Sequence, residues 1–208
     1  MEASVELDAV IGIVAHPARK STAIALCEEV EAQYLSFDQW GQGERWNHRH
    51  VIEVCAMIAE KEGREWIVIL EDDAVPCDGF REKLAEHLAT MPGMIGSLYL
   101  GTSRWAGQHH ASFERRVAEE IEWADDHVAK SSRPVQIHFS ELYHGVCVVL
   151  RVEIVPMLLA LLDSLDGVPT DQAIGMFALH QRWGVWYAHP SLVDHRDEEP
   201  VTQHPDGE

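Results

Sequence analysis

Three consecutive acids, Glu71, Asp72 and Asp73, follow the wholly apolar run Trp66-Ile67-Val68-Ile69-Leu70. Adjacent carboxylates repel one another, so the cluster points to a positive partner. Mg²⁺ and Mn²⁺ suit it: both prefer oxygen ligands and take one or two protein carboxylates, leaving the rest of the shell to substrate phosphates and water. The competing reading is a solvated loop with helix-capping acids. The abrupt switch from apolar strand to charge favours the metal. Alone, the triplet would also suit a phosphatase or a nucleotidyltransferase.

Other residues with chemical potential lie far away in the chain. Arg19 and Lys20, in HPARKS, stand just before a helical pattern, where a basic pair suits a diphosphate or simply opens an amphipathic helix. Asp171, in VPTDQAIG, opens another helical pattern. A helix N-terminus keeps a carboxylate ionised, as a general base requires, but the same acid could merely stabilise the first turn. His189 and His195 belong to YAHPSLVDH, and Gly145 to YHGVCVVLR. Glycine inside a strand permits close backbone approach or marks a bulge.

The elements that would position these residues alternate. Segments 9–15, 33–37, 66–70 and 95–101 read as strands, separated by helical spacing at 21–32, 46–63 and 79–89. Gly63 reads as a helix stop. Such alternation predicts an α/β fold with a mainly parallel central sheet, helices on its faces and ligands at the carboxyl ends of the strands. Residues 102–134 are polar and read as a long loop, a lid or substrate-binding segment, with one helical stretch near 113–128 and with Trp105 among its residues. Two strands are expected within 134–151, forming a short antiparallel portion. Helices are expected at 153–165, with Pro156 in the first turn, and at 170–183, and a last strand or extended segment at 185–195. The tail, about 197–208, is expected to be mobile.

Composition narrows the class. A chain of 208 residues, 46% hydrophobic, fits one globular domain. Its apolar runs are too short to span a bilayer, and the first basic residue is Arg19, unlike a signal peptide, so a soluble cytoplasmic protein is expected. The four cysteines form no CxxC pair and read as free thiols. A formal charge of −19 disfavours nonspecific nucleic-acid binding.

The segment ILEDDAVPCDGF resembles the DxD segment of nucleotide-sugar glycosyltransferases of the GT-A (Rossmann-like) fold, in the LEDDA form of the lipopolysaccharide-type family 25 enzymes and related bacterial and phage transferases. The resemblance runs discontinuously from about residue 9 to 195. PSLVxH is its second motif, and the order and spacing of segments make up the rest. It implies a single GT-A-like domain that moves a sugar from a nucleoside-diphosphate sugar, a UDP sugar foremost, to an acceptor hydroxyl on a glycan, a protein or a modified base. Mn²⁺ or Mg²⁺ would assist. It places Glu71 and Asp72 beside the nucleotide, although Glu stands where the motif has its first Asp. Asp73 becomes the principal metal ligand, completed by His195, with His189 second. Asp38 in LSFDQ and Asn47 in ERWNHRH fall where nucleoside contacts lie, although Asn47 also reads as a helix N-cap. Arg19 and Lys20 fall at the diphosphate, Gly145 at the donor sugar and Asp171 at the base of the inverting members. The alternatives are a sugar-phosphate nucleotidyltransferase, against which the lack of glycine in HPARKS counts, and a degenerate nucleotide- or sugar-binding module without turnover.

Overall fold

The structure, a computed structural model, describes residues 6–100, 111–131, 134–142 and 144–196, with the backbone alone at 111–117. Nine strands are present among these: β1 Ala9–Ala15, β2 Tyr34–Phe37, β3 Trp66–Glu71, β4 Ala74–Pro76, β5 Ile95–Ser97, β6 Val135–Phe139, β7 Cys147–Arg151, β8 Val185–His189 and β9 Val193–His195. The helices are α1 Lys20–Glu29, α2 Glu44–Glu62, α3 Phe80–Thr90, α4 Ala111–Ser131, α5 Val155–Ser164 and α6 Thr170–Gln181.

Seven strands form one sheet in the order β2-β1-β3-β7-β5-β8-β6, and β4 pairs with β9 in a separate antiparallel ribbon. Strands β1, β2, β3, β5 and β8 run one way, and β6 and β7 run the other. The α/β architecture, a mostly parallel mixed sheet flanked by helices, is consistent with the expected GT-A-like fold. One reversed strand lies where the sequence did not suggest it, between β3 and β5. β6 ends at the foot of the sheet while Val146 lies at the carboxyl edge beside Glu71, so β7 enters there and runs downward beside β3. Gly175 lets Leu142 pass close to α6: a Cβ there would lie 3.2 Å from the Leu142 nitrogen.

Alternate residues of the central strands serve opposite faces, as the two-residue period of a strand requires. Val10, Val14, Ile67, Ile69, Val148 and Leu150 join the core with α2, α5 and α6, while Ile11, Ile13, Val68, Leu70 and Val149 join α1 and α3. Burial on both faces explains why these strands are apolar throughout rather than alternating. Helix α2 sits close on β1, where a Cβ on Gly12 would lie 2.4 Å from Cys55 Sγ. Gly63 adopts the left-handed conformation (φ 69°) and ends α2, and Pro156 falls in the first turn of α5, both as expected. All four cysteines are free, with Cys55 and Cys147 buried and Cys27 and Cys77 partly so. No helix among the described residues is long and apolar enough to cross a membrane.

Three local departures have physical causes. The strand expected over 95–101 stops at Ser97, whose hydroxyl donates to the Tyr99 carbonyl at 2.9 Å and accepts from the Tyr99 N–H at 3.3 Å, turning the chain. The segment 185–195 divides into β8 and β9 around Pro190, which lacks the N–H a continuous ladder would use. Helix α4 extends beyond the expected stretch at both ends.

His87 gives this core a pH dependence. It lies buried on α3 with Nε2 unpartnered, and burial alone lowers its pKa to about 4. The unfolded chain therefore takes up the proton first as pH falls below the ordinary histidine value, and folded stability drops through that window. Between neutrality and about pH 5 the loss from this group is about 2 kcal/mol. Denaturant melts of His87→Gln should show a correspondingly shallower fall than wild type. Parallel pH dependences would exclude His87 as the source.

Candidate active site

The carboxyl edge of the parallel strands collects every element of interest. β1 delivers His16 and Arg19 there, β3 delivers Glu71, and the turn into β4 carries Asp72 and Asp73. Because β7 is reversed, its entry brings Gly145 to the same edge, and the Glu71 N–H donates to the Val146 carbonyl at 3.0 Å. The β4–β9 ribbon pairs Ala74 with His195 and so folds the end of the chain back onto the acids.

Two of the acids are buried, Asp72 at 5% and Asp73 at 8% exposure. Asp72 accepts the His16 N–H at 2.6 Å, and Arg19 Nη1 donates to Asp72 Oδ1 at 3.0 Å and to Asp73 Oδ2 at 2.5 Å. His195 Nε2 lies 3.3 Å from the same Asp73 oxygen. Burial pushes both carboxyls up. At Asp73 the contacts with His195 and Arg19 outweigh burial, leaving its pKa below the ordinary aspartate range, whereas at Asp72 burial prevails over His16 and Arg19. Asp73 Oδ1 is buried without a hydrogen-bond partner. An orphaned oxygen on a carboxylate whose other oxygen meets an imidazole suits a hard cation. Among the described residues no group of three or more His, Cys, Asp or Glu side chains could hold a metal. Asp73 and His195 would therefore supply two ligands, leaving further positions to phosphate and water. His144 stands nearby, its ring 5.1 Å from Tyr99, and burial first, then the charge of His195, lowers its pKa to about 4.

Glu71 turns away from this pair. Its Oε1 lies 3.4 Å from His48 Nε2, and the other nitrogen of that ring lies 2.7 Å from Glu44 Oε1. A Cβ on Gly145 would lie 2.7 Å from Glu71 Oε1 and 3.5 Å from the Asp171 Cβ, so a glycine there lets the two acids converge. His48, Gly145, Thr170 and Asp171 line a small cavity between α2, β7 and α6. Burial raises the pKa of Asp171, the Gln172 N–H opposes that rise, and Glu71 and Glu44 add to it.

Of the residues singled out in the sequence, Arg19, Glu71, Asp72, Asp73, Gly145, Asp171 and His195 meet at this edge. Lys20 does not join them; it is exposed at the start of α1 and makes none of the described ion pairs. Asp38 closes its own loop, accepting the Gln42 and Gly43 N–H groups at 2.8 and 2.7 Å. Asn47 is no N-cap: α2 begins at Glu44, and the buried Asn47 amide ties the ends of β1 and β2 through the carbonyls of Ala15 (3.2 Å) and Ser36 (3.3 Å). His189 bonds Asp125 of α4 at 2.8 Å, so His195 is the histidine at the acids. Trp105 and the tail at 197–208 lie outside the described residues. His48 and Glu44 were missed, hidden in a helix whose visible signal was its apolar stripe.

No family model matches this sequence, and no curated protein sequence does. Among solved structures, A197 from STIV superposes with a TM-score of 0.52 at 10% identity, over 96% of this chain and 92% of that one. The likeness is one of fold. A glycosyltransferase involved in the glycosylation of the major capsid of PBCV-1 gives 0.46 at 12% identity, over 86% of this chain and 80% of that one, too weak a likeness to carry weight.

Proposed function

We propose that this chain is a metal-dependent glycosyltransferase that moves a sugar from a nucleoside-diphosphate sugar to an acceptor hydroxyl with inversion. The observation that carries the reading is the convergence of Arg19, the acids 71–73, Gly145, Asp171 and His195, from five distant segments, on the carboxyl edge of one α/β sheet. That edge is where ligands gather in such sheets.

Asp73 and His195 would hold Mn²⁺ or Mg²⁺, which when bound neutralises charge on the leaving diphosphate. Arg19, already between Asp72 and Asp73, supplies a second positive group to diphosphate oxygens. Lys20, one residue on, adds a longer-range charge. Asn47, by tying the ends of β1 and β2, and Asp38, by closing the loop after β2, shape the wall of the nucleotide pocket. Gly145 lets the donor sugar approach the backbone. Asp171 takes the proton from the acceptor hydroxyl as its oxygen attacks the anomeric carbon and the diphosphate departs.

Thermal melts of the full chain with UDP, GDP, CDP and their sugars, each with Mn²⁺ or with chelator, test this. A ligand near a hundred times its Kd stabilises by about 2.7 kcal/mol, which in a chain of this size raises Tm by roughly 5–10 °C. The expected result is such a rise with one nucleotide class, in the presence of metal only. No rise with any of them would sink the donor assignment.

A further inference from the structure

His48 is the buried charged group that the triplet does not account for. It rises from α2 between two carboxylates, its side chain 6% exposed. A neutral imidazole offers one N–H and one lone pair, and a lone pair aimed at a carboxylate is repelled. With Glu44 at 2.7 Å on Nδ1 and Glu71 at 3.4 Å on Nε2, the ring favours carrying both protons. Burial opposes the charge, the two contacts overcome it, and the pKa rises to about 10. Asp171 is the third acid and shares the small cavity with His48. Two carboxylates, from α2 and β3, thus flank one buried ring, and the acid from α6 lines the cavity beside it. Arg45 is the other basic neighbour, and its guanidinium is turned to the carbonyls of Leu162 and Val168.

The arrangement has a consequence for Asp171. Burial raises its pKa, the Gln172 N–H lowers it, Glu71 and Glu44 raise it, and His48, across the cavity, lowers it further. Without that cation three acids would share the pocket, and like charges at such range drive protons back on. The anchor also fixes geometry, holding Oε1 of Glu71 toward His48 and against Gly145.

We propose, resting on the transferase reading for its catalytic consequence, that His48 is a positioning residue that pins Glu71 and adds, beside the Gln172 N–H, a positive charge that favours the ionised form of Asp171 as base. Imidazole ¹⁵N and carboxyl ¹³C spectra of the full chain test the charges without any turnover. Near pH 8, well above the ordinary histidine range, both ring nitrogens of His48 should carry protons. His48→Gln keeps an N–H toward Glu71 but removes the charge, and should move the Asp171 midpoint up. Glu44→Gln, at a half-exposed surface position that spares the core, should lower the His48 midpoint and, by removing one of the acids that raise it, lower that of Asp171 as well. With an active donor, His48→Gln should lose about ten-fold in kcat below neutrality and recover part of it at higher pH, with donor KM little changed. A single protonated ring nitrogen near pH 8, or an Asp171 midpoint identical in wild type and both variants, overturns the proposal even in an active enzyme. Charges as expected with no turnover of any donor would overturn the transferase reading instead.

Discussion

Asp73→Asn is expected to lower metal-dependent sugar transfer by about 10³-fold, the scale of losing a principal electrostatic stabiliser of a developing charge. The substitution keeps the volume of a buried side chain and leaves an amide oxygen for Arg19, which stays bonded to Asp72 at 3.0 Å. The fold should therefore survive, read as a Tm within a few degrees of wild type. What disappears is the charge that the orphaned Oδ1 and the His195 contact point to a cation. The measurement is donor hydrolysis or transfer across a Mn²⁺ titration, with Mn²⁺ binding followed separately by calorimetry. Retention of full transfer together with unchanged Mn²⁺ affinity would remove Asp73 from the metal site.

Asp171→Asn is expected to cost about 10²–10⁴-fold in kcat, the usual contribution of a positioned general base, with little effect on nucleotide binding. The sign of its pH dependence follows from its surroundings. Burial, then Glu71 and Glu44, raise its pKa. The base form is lost as pH falls through that raised value, so the acidic limb of the wild-type kcat profile should lie above the ordinary aspartate range and vanish in Asp171→Asn. A variant that keeps the limb and most of the rate would show that Asp171 only stabilises the first turn of α6, where its Oδ1 accepts the Gln172 N–H at 2.7 Å.

The two variants separate the halves of the site. Asp73 and His195 stand on the ribbon side, and Asp171, Glu71 and His48 on the α2–α6 side. Loss of metal binding in the first variant, with its retention in the second, is the pattern expected if they act on leaving group and acceptor respectively.

Much of the frame could be read from local pattern. The continuous apolar runs at 9–15 and 66–70 could form only strands covered on both faces, and the turn acids after Leu70 had to emerge at a sheet edge. Gly63 and Pro156 act through their own φ angles, so they ended and began helices without help from distant residues. The pairing of His195 with Asp73 came from motif resemblance, and the β4–β9 ribbon supplies the physical means.

Other features had no local signal. β7 is as apolar as its neighbours, so its reversal depended on the route of the chain before it. Asp38 and Asn47 carry the right atoms for ligand contacts, but loop closure and buried carbonyls engage those atoms first. A buried imidazolium leaves no periodic trace, and Glu71 and Asp171 converge because Gly145 lies between them without a side chain. The sequence by itself determined which strand ends in acids, since burial periodicity and turn chemistry act over a few residues. Only the tertiary structure decided which charges neutralise one another, because Coulomb interactions depend on distances between atoms that, like those of Asp73 and His195, lie far apart along the chain.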